Sequence, residues 1–277
     1  MKNLKYHFQG AEKKKRAIGQ FNFSTLEQLK GIVQSAKETK TPIILGTSQG
    51  EANFFGIEEA ILLRDYYRKS FPHIYLNFDH GKDIKLIKKA IDLGYDCIHH
   101  DGSALSFKEN IKKTKKIVKY AHKKGVLVEG EIKSIKGGSE THKGILKFEK
   151  ERFENITQAK EFVKKTKVDS LAINIGNVHG TYSKPIRLNI DLLKEINKNI
   201  PVFLALHGGS GTKEADIKKA IKNGIVKINI NTELREVWKK SLLKSLKTET
   251  IKPYKILLPV IEAIERKTKE KIKLFKK

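Results

Sequence analysis

Eight short β-branched runs alternate with longer amphipathic ones, a pattern that predicts an α/β fold: a (β/α)8 barrel with an extra C-terminal helix. Three observations lead there. The runs alternate from end to end, with no block of strands or of helices. The chain has 277 residues, against the roughly 250 typical of such a barrel. No Gly-x-Gly-x-x-Gly follows the first strand, which weakens the dinucleotide-binding version of the rival open, doubly wound sheet.

In chain order, the predicted strands are Ala17–Phe23, Pro42–Thr47, His73–Phe78, Cys97–His100, Val126–Glu131, Ser170–Ile175, Val202–Leu206 and Val226–Ile230. Between them, apolar residues recur at i, i+3 and i+4 in Leu26–Ala36, Ile84–Leu93, Ile111–His122, Thr157–Lys165, Leu192–Ile196 and Ala215–Ile221. Thr25 and Asp216 read as ordinary helix starts. Gly125 and Gly224 stand where helices give way to strands. Pro253–Leu274 reads as a further basic amphipathic helix. Lys133–Arg152 is too long for an ordinary connection and is expected to be a functional loop. No Pro-, Gly- or Ser-rich linker divides the chain, so residues 1–277 are expected to form one domain.

The net charge is 57 − 31 = +26, which invites a nucleic-acid reading. Only seven of the 57 basic residues are arginine, however, and the lysines are spread over nearly every helix. Phosphate and base recognition leans on the arginine fork. The charge is therefore read as solvated helix faces, and no nucleic-acid partner is expected. Cys97 is the only cysteine, so no internal disulfide can form. Met1–Arg16 lacks the apolar core of a leader, and no apolar run approaches the ~20 residues of a membrane span. A cytoplasmic protein without a membrane partner is expected.

In a barrel of this kind the active site lies at the C-terminal ends of the strands. Here every predicted strand ends in polar chemistry: Asn22, Ser48, Asp79-His80, Asp101-Gly102-Ser103, Glu129 with Glu131, Gly176–Gly180, His207–Gly211 and Asn229–Thr232. Any one of these suits a cap or a turn, but eight of eight is hard to assign to turn composition. His80, His179 and His207 follow strands three, six and seven, and barrel closure would bring them to one rim. Three imidazoles with a fourth position open make a catalytic zinc site. By strand alternation His99 shares the side of Asp101, whereas His100 faces the helices. The glycine-rich turn Gly208–Gly211, expected to open a helix, offers backbone N–H groups to a phosphate, with Lys184 adding charge. A metal, a phosphate cradle and an unligated acid together suggest carbonyl chemistry on a phosphorylated sugar.

These residues resemble the class II, zinc-dependent ketose-bisphosphate aldolases essentially end to end. The resemblance is carried by Gln20-Phe21-Asn22, Asp79-His80-Gly81, Asp101-Gly102-Ser103, Val128–Glu131, Gly176–Tyr182, His207–Gly211 and Lys227–Glu233. It implies zinc on His80, His179 and His207, and Asp79 as the group that moves the proton of the hydroxyl at the breaking bond. It implies Glu140, on the loop after strand five, for the other proton transfer, and Asn229 to orient the triose enediolate. Gly180, Lys184, Gly208, Gly209, Ser210, Asn231 and Thr232 would hold the dihydroxyacetone phosphate end, with Na+ or K+ nearby, and Ser48 would contact the sugar. The implied substrate is a phosphorylated ketose, fructose 1,6-bisphosphate first and tagatose 1,6-bisphosphate second, cleaved by a homodimer or homotetramer. Three departures stand out: Asn77 where the family usually has histidine, Lys133 in place of a loop glycine, and Tyr254 where an arginine is common.

Overall fold

The computed structural model describes residues 3–138, 140–142, 153–182 and 187–276. Eight parallel strands close into a barrel. They are β1 (Ile18–Asn22), β2 (Ile43–Ser48), β3 (Ile74–Gly81), β4 (Cys97–Asp101), β5 (Leu127–Glu131), β7 (Ser170–Ala172), β9 (Phe203–Leu206) and β10 (Ile225–Ile230). The order around the barrel is β1-β10-β9-β7-β5-β4-β3-β2. Two further short strands, β6 (Thr141–His142) and β8 (Thr181–Tyr182), pair with each other above the rim.

Alternation along the strands separates two populations of side chains. Phe21, Leu45, Leu76, Phe78, Ile98, Val128, Leu171, Leu204 and Ile228 belong to the main core, between the barrel and its helices. The opposite face fills the barrel in layers. At the bottom, Ile18, Ile44, Tyr75, Cys97 and Val226 pack with Leu4, Phe8 and Ala11 of α1 (Leu4–Lys13). This helix closes the N-terminal end of the barrel. Above that apolar floor the filling turns polar: Gln20, Asn77, His99, Glu129 and Lys227 are all buried. Gly46 makes room for it, since a Cβ there would lie 2.2 Å from Asn22 Oδ1 and 2.6 Å from Gln20 Nε2. The charged pair inside, Lys227 and Glu129, meets at 2.9 Å.

The ring of helices includes α2 (Leu26–Thr39), capped by Thr25 as expected, α6 (Phe107–His122), α9 (Glu214–Lys222) and α10 (Thr232–Ser245). The C-terminal helix α11 (Pro253–Lys276) lies against α2 and α10. Gly31 allows that approach, because a Cβ there would stand 2.7 Å from Ile261 O. The helix α4 (Ile57–Arg68) is tied to the barrel floor by Asp96, which accepts Arg64 Nη1 at 2.5 Å, Arg68 Nη2 at 2.7 Å and Leu76 N at 2.8 Å.

Four expectations are corrected. Residues 1–16 carry no element in the sequence reading, yet α1 forms there, because its apolar stripe meets the open barrel floor. The third strand runs past Phe78 through Gly81, paired to β2 up to Ser48↔Asp79 and to β4 again at Gly81↔His100. The sixth barrel strand stops at Ala172 rather than Ile175. Beyond it, the Asn177 side chain accepts Ile175 N and the Asn174 side chain accepts Gly176 N, which replaces ladder pairing. The glycine turn does not open α9 directly: Gly209–Gly211 is a 3-10 turn, and the helix begins at Glu214.

Candidate active site

The C-terminal strand ends surround a cavity of about 250 Å3. Its lining contains Ser48, Asp79, His80, His179, Gly180, His207, Gly208, Ser210, Asn229, Asn231 and Thr232, together with Asn22 and Arg235. Gly209 lies underneath, packed on β10, where a Cβ would come within 2.7 Å of Ile228 Cγ2. Glu140 is exposed beside the rim, and its carbonyl accepts Thr181 N at 3.1 Å. Lys184 falls outside the described residues. A larger cavity of about 560 Å3 at the opposite end of the barrel is lined by groups already paired, Arg68 with Asp96 and His122 with Asp169.

The three histidines converge, and their partners determine which nitrogen of each faces inward. His207 Nε2 lies 2.8 Å from Glu129 Oε1, so its proton sits there and Nδ1 is left with a lone pair. His80 Nδ1 is 3.4 Å from Asp101 Oδ2 and 3.8 Å from Glu131 Oε2, leaving Nε2 inward. His179 Nδ1 is 3.1 Å from Ile135 O, and its Nε2 is buried without a hydrogen-bond partner among the described residues. His80 Nε2 and His207 Nδ1 meet at 3.1 Å. Burial opposes a charge on His80, but Asp79 with Asp101 and Glu131 outweighs it and holds the ring above its ordinary value, so without a metal His80 Nε2–H donates to His207 Nδ1, and a bound cation takes the place of that proton. Burial, reinforced by the neighbouring rings, pulls His179 down to about 3. Burial also lowers His207. Both rings are thus neutral at physiological pH, as metal ligands must be. The donor set, its tautomers and the orphaned His179 Nε2 fit zinc.

Asp79 is held from both sides. Asn229 Nδ2 donates to Oδ1 at 3.2 Å and Asn22 Nδ2 to Oδ2 at 3.1 Å. Burial opposes its charge, but His80, His99 and His207 outweigh it and keep the carboxyl well below the usual carboxylate range. Asn77 faces inward with Asp79, and a chain of amides connects the two. Asn77 Nδ2 donates to Gln20 Oε1 at 2.9 Å, and Gln20 Nε2 to Asn22 Oδ1 at 2.9 Å.

The glycine-rich end of the cavity, where the sequence predicts a phosphate cradle, is built from backbone. Gly208 has φ +70, and a Cβ there would sit 1.9 Å from Val178 O, so the two rim loops touch only because it is glycine. The helix α10 opens into the same cavity, with Ser210 Oγ accepting Glu233 N at 3.3 Å.

Two residues of the site escaped the sequence reading as functional groups. Glu51, 5 % exposed, accepts Asn22 at 3.0 Å, Ser48 N at 2.8 Å, Asn231 at 3.1 Å and Arg235 at 2.7 Å. It ties three lining side chains and the end of β2 to one carboxylate. Its signal was present in Ser48-Gln49-Gly50-Glu51, a capping box that does form at α3 (Gln49–Phe55). His99 lies outside the predicted histidine triad, yet Asp79, His80, His99 and His207 offer ligand atoms within 4.8 Å of one another. His80, Asp101 and Glu131 likewise offer ligand atoms within 4.8 Å of one another. His100 faces the helices as expected, 2.8 Å from Thr114 Oγ1.

The family model described as "Fructose-bisphosphate aldolase class-II" matches residues 2–277. A fructose-bisphosphate aldolase of Staphylococcus aureus is 37 % identical over 270 residues, covering 94 % of this chain and 91 % of the relative. A sulfofructosephosphate aldolase of Alkalicoccus urumqiensis is 35 % identical over 274 residues, covering 96 % and 93 %. The crystal structure of the YdjI aldolase from Escherichia coli K12 superposes with a TM-score of 0.87 at 32 % identity, covering 99 % of this chain and 96 % of that one.

Proposed function

The chain belongs to the class-II fructose-bisphosphate aldolase family, a family of lyases, and on that premise we propose that it cleaves a ketose 1,6-bisphosphate reversibly. Fructose 1,6-bisphosphate is the first substrate, giving dihydroxyacetone phosphate and glyceraldehyde 3-phosphate. The observation that carries the reading is the meeting of His80 Nε2 and His207 Nδ1 at 3.1 Å, with the His179 ring 4.9 Å and 5.9 Å from theirs, centroid to centroid, beside an ionised Asp79.

His80, His179 and His207 would hold the zinc on which the family generally depends. Bound there, zinc supplies positive charge against a substrate carbonyl oxygen. Asp79, aimed by Asn22 and Asn229, takes the proton of the hydroxyl on the aldehyde side of the breaking bond. The carbon–carbon bond then breaks, the hydroxyl oxygen becomes the aldehyde carbonyl, and the electron pair stays on the triose carbon. Glu140, at the rim, returns a proton to that carbon. Asn229 Oδ1, buried without a partner among the described residues, is an acceptor for a triose hydroxyl. Gly180, Gly208, Gly209, Ser210, Asn231 and Thr232 hold the triose phosphate at the start of α10, with Lys184 and Na+ or K+ adding charge. Ser48 contacts the sugar.

A second reading is another phosphorylated ketose, tagatose 1,6-bisphosphate among them. Tyr254, 66 % exposed, stands outside the cavity where the family commonly places an arginine, and Arg235 is the arginine among the lining residues. The similarity to a sulfofructosephosphate aldolase points the same way. A homodimer or homotetramer is supported by exposed apolar side chains at the α10–α11 corner, Leu243, Leu246, Ile251 and Leu258. One domain over residues 1–277 in the cytoplasm completes the proposal. Among the described residues, no helix is long and apolar enough to cross a membrane.

The test is cleavage of fructose 1,6-bisphosphate, tagatose 1,6-bisphosphate and a ketose 1-phosphate lacking the distal phosphate, with zinc measured on the same sample. The ranking identifies the ketose. Failure of the zinc-loaded protein to cleave any of them contradicts the proposal.

A further inference from the structure

Resting on the metal role of His80, we propose that His99 is a positioning residue: by accepting the His80 backbone N–H, it holds that ligand in a left-handed conformation aimed at His207 and His179. His80 has φ +49, a region that non-glycine residues leave unless something retains them. The strand is irregular at this point, because the pairing register between β3 and β4 shifts between Phe78 and Gly81. Within that irregularity His80 N donates to a side chain, His99 Nδ1, at 3.2 Å. His99 is fully buried and is not among the cavity-lining residues, so it acts on the site through others. Its ring lies 4.6 Å from that of His80 and 4.7 Å from that of His207, centroid to centroid.

Two carboxylates stand close to the ring. Nε2 is 3.2 Å from Glu131 Oε2, and Nδ1 is 3.5 Å from Asp79 Oδ1. As acceptor of the His80 N–H through Nδ1, the ring carries its proton on Nε2, the nitrogen toward Glu131.

Two conservative replacements separate the two contacts. Asparagine places a carbonyl oxygen where Nδ1 stands, and glutamine places its amide where Nε2 stands. Zinc affinity is measured by competition with a chromophoric chelator for the full chain and for His99→Leu, His99→Asn and His99→Gln. Cobalt absorption spectra report ligand geometry, and melting curves of the metal-free proteins report folding. His99→Leu and His99→Gln are expected to bind zinc about 10- to 100-fold more weakly with altered cobalt spectra, whereas His99→Asn stays close to the parent in both. If His99→Leu does not fold, the Asn–Gln pair decides. Parent-like affinity in both His99→Leu and His99→Gln overturns this inference alone. So does recovery by Gln equal to that by Asn, which would assign the role to the Glu131 contact. A parent chain that binds no zinc overturns the metal reading and this inference together.

Discussion

At the scale of single residues, a carboxylate and three imidazoles share the barrel mouth without sharing a task. Each histidine is committed through its outer nitrogen, to Glu129, to Asp101 with Glu131, or to Ile135 O, and each directs the other nitrogen inward. Asp79 is gripped by two amides instead, and in the proposed mechanism it serves as the proton acceptor and not as a metal ligand. Asp79→Asn is therefore expected to lower kcat/KM for cleavage by about 10²- to 10⁴-fold while zinc content stays at the parent level. Loss of both together would place Asp79 among the ligands. A second carboxyl behaves oppositely. Glu154 is buried, and that burial pushes it up to about 8 from an ordinary value of 4.5. Between those values the folded protein keeps a proton that the unfolded chain releases, so stability falls as pH rises through the window, by at most about 1.4 kcal/mol per pH unit. Denaturant midpoints of Glu154→Gln at pH 5 and pH 8 should lie closer together than those of the parent. An unchanged gap would locate the proton elsewhere.

At the scale of elements, much of the barrel was readable because its strands are short apolar runs between polar ends. The predicted and observed strands differ by a residue or two except at the third and the sixth, where side chains and a register shift take over backbone pairing. What stayed hidden depends on contacts distant in sequence. The apolar stripe of α1 makes sense only against the barrel floor, and α4 only against Asp96. Asp96→Ala removes the carboxylate that Arg64 and Arg68 share and leaves both only the more exposed Asp65, and an unfolding loss of about 2 kcal/mol is expected in urea denaturation. A change below 0.5 kcal/mol would show that α4 is held by packing alone. The candidate site was legible to a similar depth. His80, His179 and His207 could be listed from strand ends, but their tautomers could not, since one is set by the backbone carbonyl of Ile135. His99 could be placed toward the mouth by alternation. Its hold on His80 requires the register shift, which no periodicity reveals.

At the scale of the whole molecule, the barrel is polar where such barrels are often filled with branched apolar side chains. Lys227 and Glu129 lie inside it, and Glu129 in turn orients His207. The polar layer is thus continuous with the site, and the apolar layer closed by α1 insulates it from below. The net charge of +26 is spread over the helical ring and enters neither layer as a patch. This mouth is proposed to cleave a phosphorylated ketose with a metal held by three histidines. The most direct measurement is the rate of fructose 1,6-bisphosphate cleavage by the purified protein before chelation, after chelation, and after zinc is restored. The expected result is activity that is lost with zinc and returns with it at one equivalent per chain. Undiminished cleavage by a protein shown to be free of metal would contradict it.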